Sequence, residues 1–402
     1  MSIRRKSPPA TSRFHHFEPL ESRQMMAGNL TANLTSGTLF INEAPFSLGQ
    51  DQAVQVSQNF LLGRITVTGK QTADGGTTLI NGKNSVTFIS RPTNIVVGLG
   101  AGHDKIEMFN TRATNIQILA EAPGNPPPQT KDDDIVTLVN VKTKGVLDIR
   151  TGLGRDNVTV LNSVIGDNIG VDDLKITTGV ATAVSEADHD VVILNGVVTR
   201  SATQITTGAS TDIVDIQNST LGNDKSDFLS IKTGAGTDSV AIAPAAGTLG
   251  NFQSVGGIAL IQTFDNAAEN DSDTVKLQQL VVESAVVSLG DGANDRVDML
   301  AVTAAKTIIV DGGGGADTVK MTEVEALDTL FAMMGDGNDV LEQTFVRARN
   351  SMTLDGGGGF DTLNRFQSTF VPNLTIKNWE MINGKPVLTA NLDNVVLTAT
   401  KV

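Results

Sequence analysis

Between Asp311 and Asp361 the chain reads DGGGGADTVKMTEVEALDTLFAMMGDGNDVLEQTFVRARNSMTLDGGGGFD. Three glycine-rich turns in this stretch close on an aspartate (Asp317, Asp339, Asp361), and each aspartate is followed two residues later by an apolar residue (Val319, Leu341, Leu363), at a spacing of 22 residues. Working outward, the same signature recurs at Asp104, Asp134, Asp156, Asp190, Asp212, Asp238, Asp273 and Asp295. The steps between successive aspartates are 30, 22, 34, 22, 26, 35, 22, 22, 22 and 22, so every step is 22 residues or 22 plus an insertion. A period in the range of roughly 20 to 50 residues marks a solenoid, whose coils bury their apolar faces only against one another. The fold expected is therefore all-β, a right-handed parallel β-helix with coils of about 22 residues.

Register columns fill in the coil. Two residues after each aspartate stand Ile106, Val136, Val158, Val192, Val214, Val240, Val275, Val297, Val319, Leu341 and Leu363, and four after it stand Met108, Leu138, Val160, Leu194, Ile216, Ile242, Leu277, Met299 and Met321. This period-two alternation predicts a short strand with one face inward. Pairs such as Ile95 and Val97, Leu147 and Ile149, Ile308 and Val310, or Met352 and Leu354 predict a second strand before the turn. Apolar residues seven after the aspartate (Val141, Val197, Leu280, Val302, Val324, Val346) suggest a third short strand and a three-sided coil. Valine, isoleucine and threonine suit such strands. Eleven coils stacked about 4.8 Å apart would form a rod on the order of 50 Å long.

The three largest insertions in the period are the proline-rich Glu121 to Thr130, a segment within Ser163 to Asp188, and one within Pro244 to Asn270. Proline cannot donate to a sheet ladder, so the first must leave the coil. Residues 29–97 hold strand-like segments without the aspartate register and are expected to form an N-terminal β cap with degenerate coils. The repeats occupy 98–382, and 383–402 is a C-terminal cap, with Trp379, Met381, Ile382 and Val387 set to close the open end.

The formal charge of −14 and a pI near 4.7 argue against nucleic acid or an anionic membrane surface as partner and favour a cation. There is no cysteine, which removes disulfides, thiolate metal sites and cysteine nucleophiles. No apolar run approaches the roughly 20 residues of a membrane span. Residues 1–28 differ from the rest: Arg4, Arg5, Lys6 and Arg13 make them basic, and their longest apolar run, Met25-Met26-Ala27, is far short of a secretory core. The segment reads as an address or a basic tail. Within it, Leu20-Glu21-Ser22-Arg23-Gln24-Met25-Met26-Ala27 resembles the LEPR-XLL motif of exported, often repeat-rich bacterial proteins.

Gly312 to Lys320 (GGGGADTVK) and Gly356 to Asn364 (GGGGFDTLN) fit the nonapeptide G-G-x-G-x-D-x-U-x, and partial matches precede Asp104, Asp156, Asp238 and Asp339. In these turns the chain resembles the RTX, or haemolysin-type, calcium-binding repeat family. The resemblance implies a secreted protein with calcium held between stacked turns by carbonyls and aspartates. It makes Asp295, Asp317, Asp339 and Asp361 candidate ligands, with Asp291, Asp311, Asp336 and Asp355 as supporting carboxylates. That family places two nonapeptides in each coil, whereas this chain has one glycine turn per 22 residues, so metal would occupy one side only. Independently, like charges stacked about 4.8 Å apart repel by about 1 kcal/mol per pair in water. Either a divalent cation or hydrogen bonds from turn N–H groups would offset this.

The expected function is an exported, non-catalytic structural or cell-surface β-solenoid that binds calcium in its Gly/Asp turns and sits outside the cell. Surface polysaccharide and other matrix proteins are the candidate partners. The alternative is a polysaccharide lyase or hydrolase on a β-helix. One Trp, no Tyr and an aromatic content of 4% leave few sugar platforms. The acids Asp132-Asp133-Asp134, Asp172-Asp173 and Asp188-His189-Asp190 could supply acid/base pairs, but they read first as solvated loop residues. His103 and His189 read as surface turn residues.

Overall fold

The computed structural model describes residues 28–45, 49–120, 132–167, 174–179, 189–245, 253–264, 271–368, 372–387 and 395–397. Among them every regular element is a strand, and the strands stack coil on coil into one continuous, mainly parallel solenoid. No helix among the described residues is long and apolar enough to cross a membrane.

Each coil has three faces. The first face precedes the glycine turn and includes Asn94–Gly98, Asn115–Leu119, Leu147–Arg150, Leu174–Thr177, Thr203–Thr206 and Phe228–Lys232, then Thr307–Asp311, Thr329–Met333 and Ser351–Asp355, all paired in parallel with their neighbours. The second face follows the aspartate: Lys105–Phe109, Ile135–Val139, Asn157–Leu161, Val191–Asn195, Ile213–Gln217 and Ser239–Ile242, continuing to Thr318–Thr322, Val340–Thr344 and Thr362–Phe366. Partners in this sheet match at the predicted register, Val158 to Val136 and Val192, Leu341 to Val319 and Leu363. The side chains two and four after the aspartate are fully buried from Ile106 to Met321. They fill the interior, because alternation on a strand puts every second residue on one side.

The third face is short, as the sequence suggests, but its strands start later. Strands such as Arg112–Ala113, Lys142–Thr143, Val198–Thr199, Glu325–Ala326 and Arg347–Ala348 lie eight and nine residues after the aspartate. The residue at plus seven points inward just ahead of them (Val141, Val197, Val324 and Val346, all buried). Before it, the residue at plus six turns the chain in the left-handed conformation, as in Asn110 (φ 50°), Asn140 (53°), Asn162 (50°), Gly196 (65°) and Asn218 (49°). At Asp238 this corner would fall on Pro244, whose ring fixes φ near −65° and forbids the turn. The coil leaves its register there, which gives the third insertion a physical origin.

The proline-rich insertion, Asp172-Asp173 and the N-terminal address segment through Ala27 lie outside the described residues. The strand-like segments of this region form Thr38–Glu43, Ala53–Asn59, Arg64–Gly69 and Ser85–Phe88, joined by two strands without a sequence signal, Asn29–Thr35 and Leu79–Ile80. Asn29–Thr35 pairs antiparallel with Thr38–Glu43, and Ala53–Asn59 with Arg64–Gly69. Only Thr38–Glu43 and Ala53–Asn59 join the parallel stack, against Asn94–Gly98 and Lys105–Phe109, so one degenerate coil sits under hairpins that cover the end. At the other end Trp379 is buried and its Nε1 donates to the Leu354 carbonyl at 3.1 Å, while Met381 and Ile382 are half-buried. Here the plus-four column turns polar. Gln343 is buried, and Arg365 beneath it donates from Nε to Gln343 Oε1 at 2.9 Å, with no carboxylate partner among the described residues.

Candidate functional site: an aspartate ladder beside stacked glycine turns

The eleven register aspartates form one column along the corner between the first and second faces, and all are buried, none more than 2% exposed. The corner turns each aspartate's own N–H away from the backbone carbonyls of the next coil, leaving a donor to satisfy. The next aspartate supplies the acceptor. Asp104 N–H donates to Asp134 Oδ1, Asp134 to Asp156, and so on through Asp339 to Asp361, over distances of 2.7 to 3.0 Å. In parallel, each aspartate's carbonyl accepts the N–H of the residue after the next aspartate, as in Asn157 N–H to Asp134 O and Val340 N–H to Asp317 O, both 2.8 Å. The column is capped at both ends: Gln52 N–H donates to Asp104 Oδ1 at 2.8 Å, and Glu380 Oε2 accepts the Asp361 N–H at 2.7 Å. Glu380 stands 19 residues after Asp361, outside the period, and its longer side chain makes up the difference.

Only one oxygen of each carboxyl is used this way. Oδ2 of Asp104, Asp134, Asp238, Asp273, Asp295, Asp317, Asp339 and Asp361 is buried with no hydrogen bond. A buried carboxylate with an open oxygen is costly to ionise, and burial accordingly pushes these acids up. Burial, opposed in part by hydrogen bonding, raises Asp104 and Asp238 to about 9, Asp190 to about 10 and Asp273 to about 8. In the last coils the rise is smaller, to about 6 for Asp295 and Asp339 and about 7 for Asp317. Beside the middle of the ladder runs a column of buried threonines, Thr151, Thr178, Thr207, Thr233 and Thr263. Hydroxyls of Thr178, Thr233 and Thr263 pull Asp190, Asp238 and Asp273 back toward the ordinary range, although Thr233 Oγ1 and Asp238 Oδ2 do not meet full hydrogen-bond geometry. In the last coils that column becomes Gly312, Met334 and Gly356.

The glycine turns stack directly on one another. Gly314 N–H donates to Gly290 O at 3.0 Å, Asp336 N–H to Gly313 O at 2.8 Å and Gly358 N–H to Gly335 O at 2.8 Å. A Cβ on Gly313 (φ 90°) would lie 1.6 Å from the Gly290 carbonyl oxygen, and one on Gly335 (φ 97°) 1.7 Å from that of Gly313. Glycine is required there by backbone approach alone.

The eight candidate metal residues therefore divide. Asp295, Asp317, Asp339 and Asp361 are ladder rungs. Asp355 is held by Lys377 at 2.7 Å and by Asn378 Nδ2 at 2.8 Å. Asp336 is exposed and overlies Gly358 of the following coil, where a Cβ would come within 2.9 Å of its Oδ1. Asp291 is exposed and raises the half-buried Asp311, whose carboxyl is pushed up first by burial and then by that neighbour. Among the described residues no three acidic or histidine side chains converge as a metal group.

The acids read from sequence as solvated loop residues are corrected in two groups: Asp190 of Asp188-His189-Asp190 is a buried rung, with Asp188 outside the described residues, and the Asp132-Asp133-Asp134 triplet is the other. Asp132 is buried and accepts the Gly102 N–H at 2.7 Å, Asp133 binds Arg155 at 2.7 Å, and Asp134 is a rung, so all three hold coils together. His103 is exposed, its Nδ1 accepting the Asp133 N–H at 2.8 Å, and exposed His189 contacts the Thr211 carbonyl. No protein-family model, curated protein or solved structure matches the chain.

Proposed function

We propose that this chain is an exported, non-catalytic structural or cell-surface β-solenoid, and that calcium associates with its glycine turns. The observation that carries the structural part is the unbroken ladder from Gln52 to Glu380: the chain's most regular acids are used to join coil to coil. Such a rod suits a spacer or matrix element. Export rests on the resemblance of residues 20–27 to the LEPR-XLL motif and of the turns to secreted repeats.

For calcium, the donor set narrows the place. Calcium takes six to eight oxygens. In the ladder, Oδ1 of each rung already accepts an amide, and several turn carbonyls accept the amides of the next turn, so the rungs as placed do not form a calcium cage. The neighbouring Asp291 and Asp311 fit better. Neither forms an ion pair among the described residues, and their mutual repulsion is what a bound dication would relieve. These two would hold the ion, with water completing its shell.

Isothermal titration of calcium into EDTA-stripped protein tests this. The expected result is binding at millimolar calcium or below that is lost in Asp311→Asn. Absence of heat, or binding indifferent to Asp311→Asn but abolished by Asp317→Asn, would overturn the assignment.

A further inference from the structure

The corner at plus six carries a second feature. Up to Asn218 this column is filled by asparagine or glycine, the residues that accept a left-handed backbone most readily. In the later coils the same conformation is imposed on Ala301 (φ 54°), Glu323 (56°), Phe345 (55°) and Gln367 (49°). A bulky aromatic at positive φ is a genuine outlier, and packing does not account for it, because Phe345 is 51% exposed. Its ring meets that of Phe366, itself 61% exposed, edge to face with centroids 6.4 Å apart.

Phe345 forms one wall of an open groove of about 340 Å³ that crosses successive coils, lined also by Thr303, Glu323, Glu325, Arg347 and Gln367. Its polar side is organised in advance. Glu325 accepts from Arg347 at 2.6 Å and from Arg349 at 3.1 Å, and these cations hold its carboxyl below the usual range. The groove thus sets an aromatic surface beside a fixed row of acid, guanidinium and amide groups.

We propose that this groove binds a neutral polysaccharide. A pyranose ring offers a C–H face that stacks on an aromatic ring and a rim of hydroxyls that bridge paired donors and acceptors, which is the pattern displayed here. The groove is open along the rod and continuous over several coils, as a polymer requires. A polyanion is disfavoured, because the Arg347 and Arg349 guanidiniums are already engaged by Glu325, Glu323 stands beside them in the lining, and the chain carries a net charge of −14. This inference does not depend on calcium or on the export route.

Affinity electrophoresis of the full chain in gels containing hydroxyethylcellulose, glucomannan or xylan tests it, with alginate as the acidic polymer. Retardation is expected in at least one neutral gel and little in alginate. Phe345→Asn should abolish retardation while melting no earlier than the wild type, since asparagine suits the corner. Arg347→Gln should weaken retardation several-fold, and Phe360→Ser, at an exposed aromatic on a glycine turn, should leave it intact. Failure of all three neutral polymers, retardation by alginate alone, or retardation unchanged in Phe345→Asn would each overturn the proposal.

Discussion

The same corner is built in two ways along one rod. From Asn110 to Asn218 the left-handed position holds asparagine or glycine, and the side chains join neighbouring coils, as in Asn140 Nδ2 to Asn110 Oδ1 at 2.7 Å. From Gln279 to Gln367 the backbone is the same but the residues are Gln, Ala, Glu, Phe and Gln, which gain little from it. Beside the ladder a parallel change occurs, from threonine to glycine and methionine. What both halves share is the aspartate rung. The rung therefore sets the fold, and the corner and the flanking column are where the two regions diverge.

The largest effect should come from breaking what is common. Asp238→Ala in the middle of the rod and Asp317→Ala near its end each leave a buried N–H without an acceptor, a loss of about 1 to 3 kcal/mol apiece before any cavity is counted. Urea denaturation should show similar losses in the two halves. A negligible loss in one half would mean that its rungs are dispensable.

The effect of pH sharpens the contrast. An acid raised on folding stabilises the native state fully below its unfolded value near 4, and that contribution is lost as pH rises through the folded value. For Asp104, Asp190, Asp238 and Asp273, with folded values of about 8 to 10, the thermal midpoint in EDTA should fall progressively from about pH 4 to pH 10. Asp238→Asn, which keeps an oxygen for the Asp212 amide, should flatten part of this slope. A midpoint that climbs over the same range would contradict the protonated ladder.

Smaller effects should separate the corners. Exchanging their residues has opposite signs: Asn162→Phe should lose roughly 1 kcal/mol, and Phe345→Asn should gain up to about as much. At the C-terminal end, Arg365→Met combined with Gln343→Leu removes a cation that burial disfavours together with the buried amide it serves, and a gain of about 1 kcal/mol is expected. Thermal melts read all three.

Much of this was legible beforehand. The period, the inward columns at plus two and plus four, and the glycine turn rest on strand alternation and backbone approach, which act locally and leave a residue-by-residue trace. The amide cap on the aspartates was one of two solutions that charge repulsion allowed, and the structure adopts it. The left-handed corner did have a signal, in Asn110, Asn140, Asn162 and Asn218, but it is diluted in the later coils where Ala301 or Phe345 stands in the same conformation. Glu380 was hidden because a longer side chain reaches the rung from outside the register. The reading of Asp132 and Asp133 as solvated acids missed contacts made between coils, Asp132 to Gly102 across 30 residues and Asp133 to Arg155 across 22, which a local reading of an acidic triplet does not reveal.

If amide-to-carboxyl rungs hold both halves of the rod, neither half needs a metal to stay closed. Hydrogen exchange of the full EDTA-treated chain, read peptide by peptide by mass spectrometry, tests it directly. Slow exchange is expected at the register aspartates in both the Asp104 to Asp273 and the Asp295 to Asp361 coils, little changed by added calcium. Fast exchange confined to Asp295 through Asp361 and suppressed only by calcium would contradict it and would make the later coils a metal-built structure.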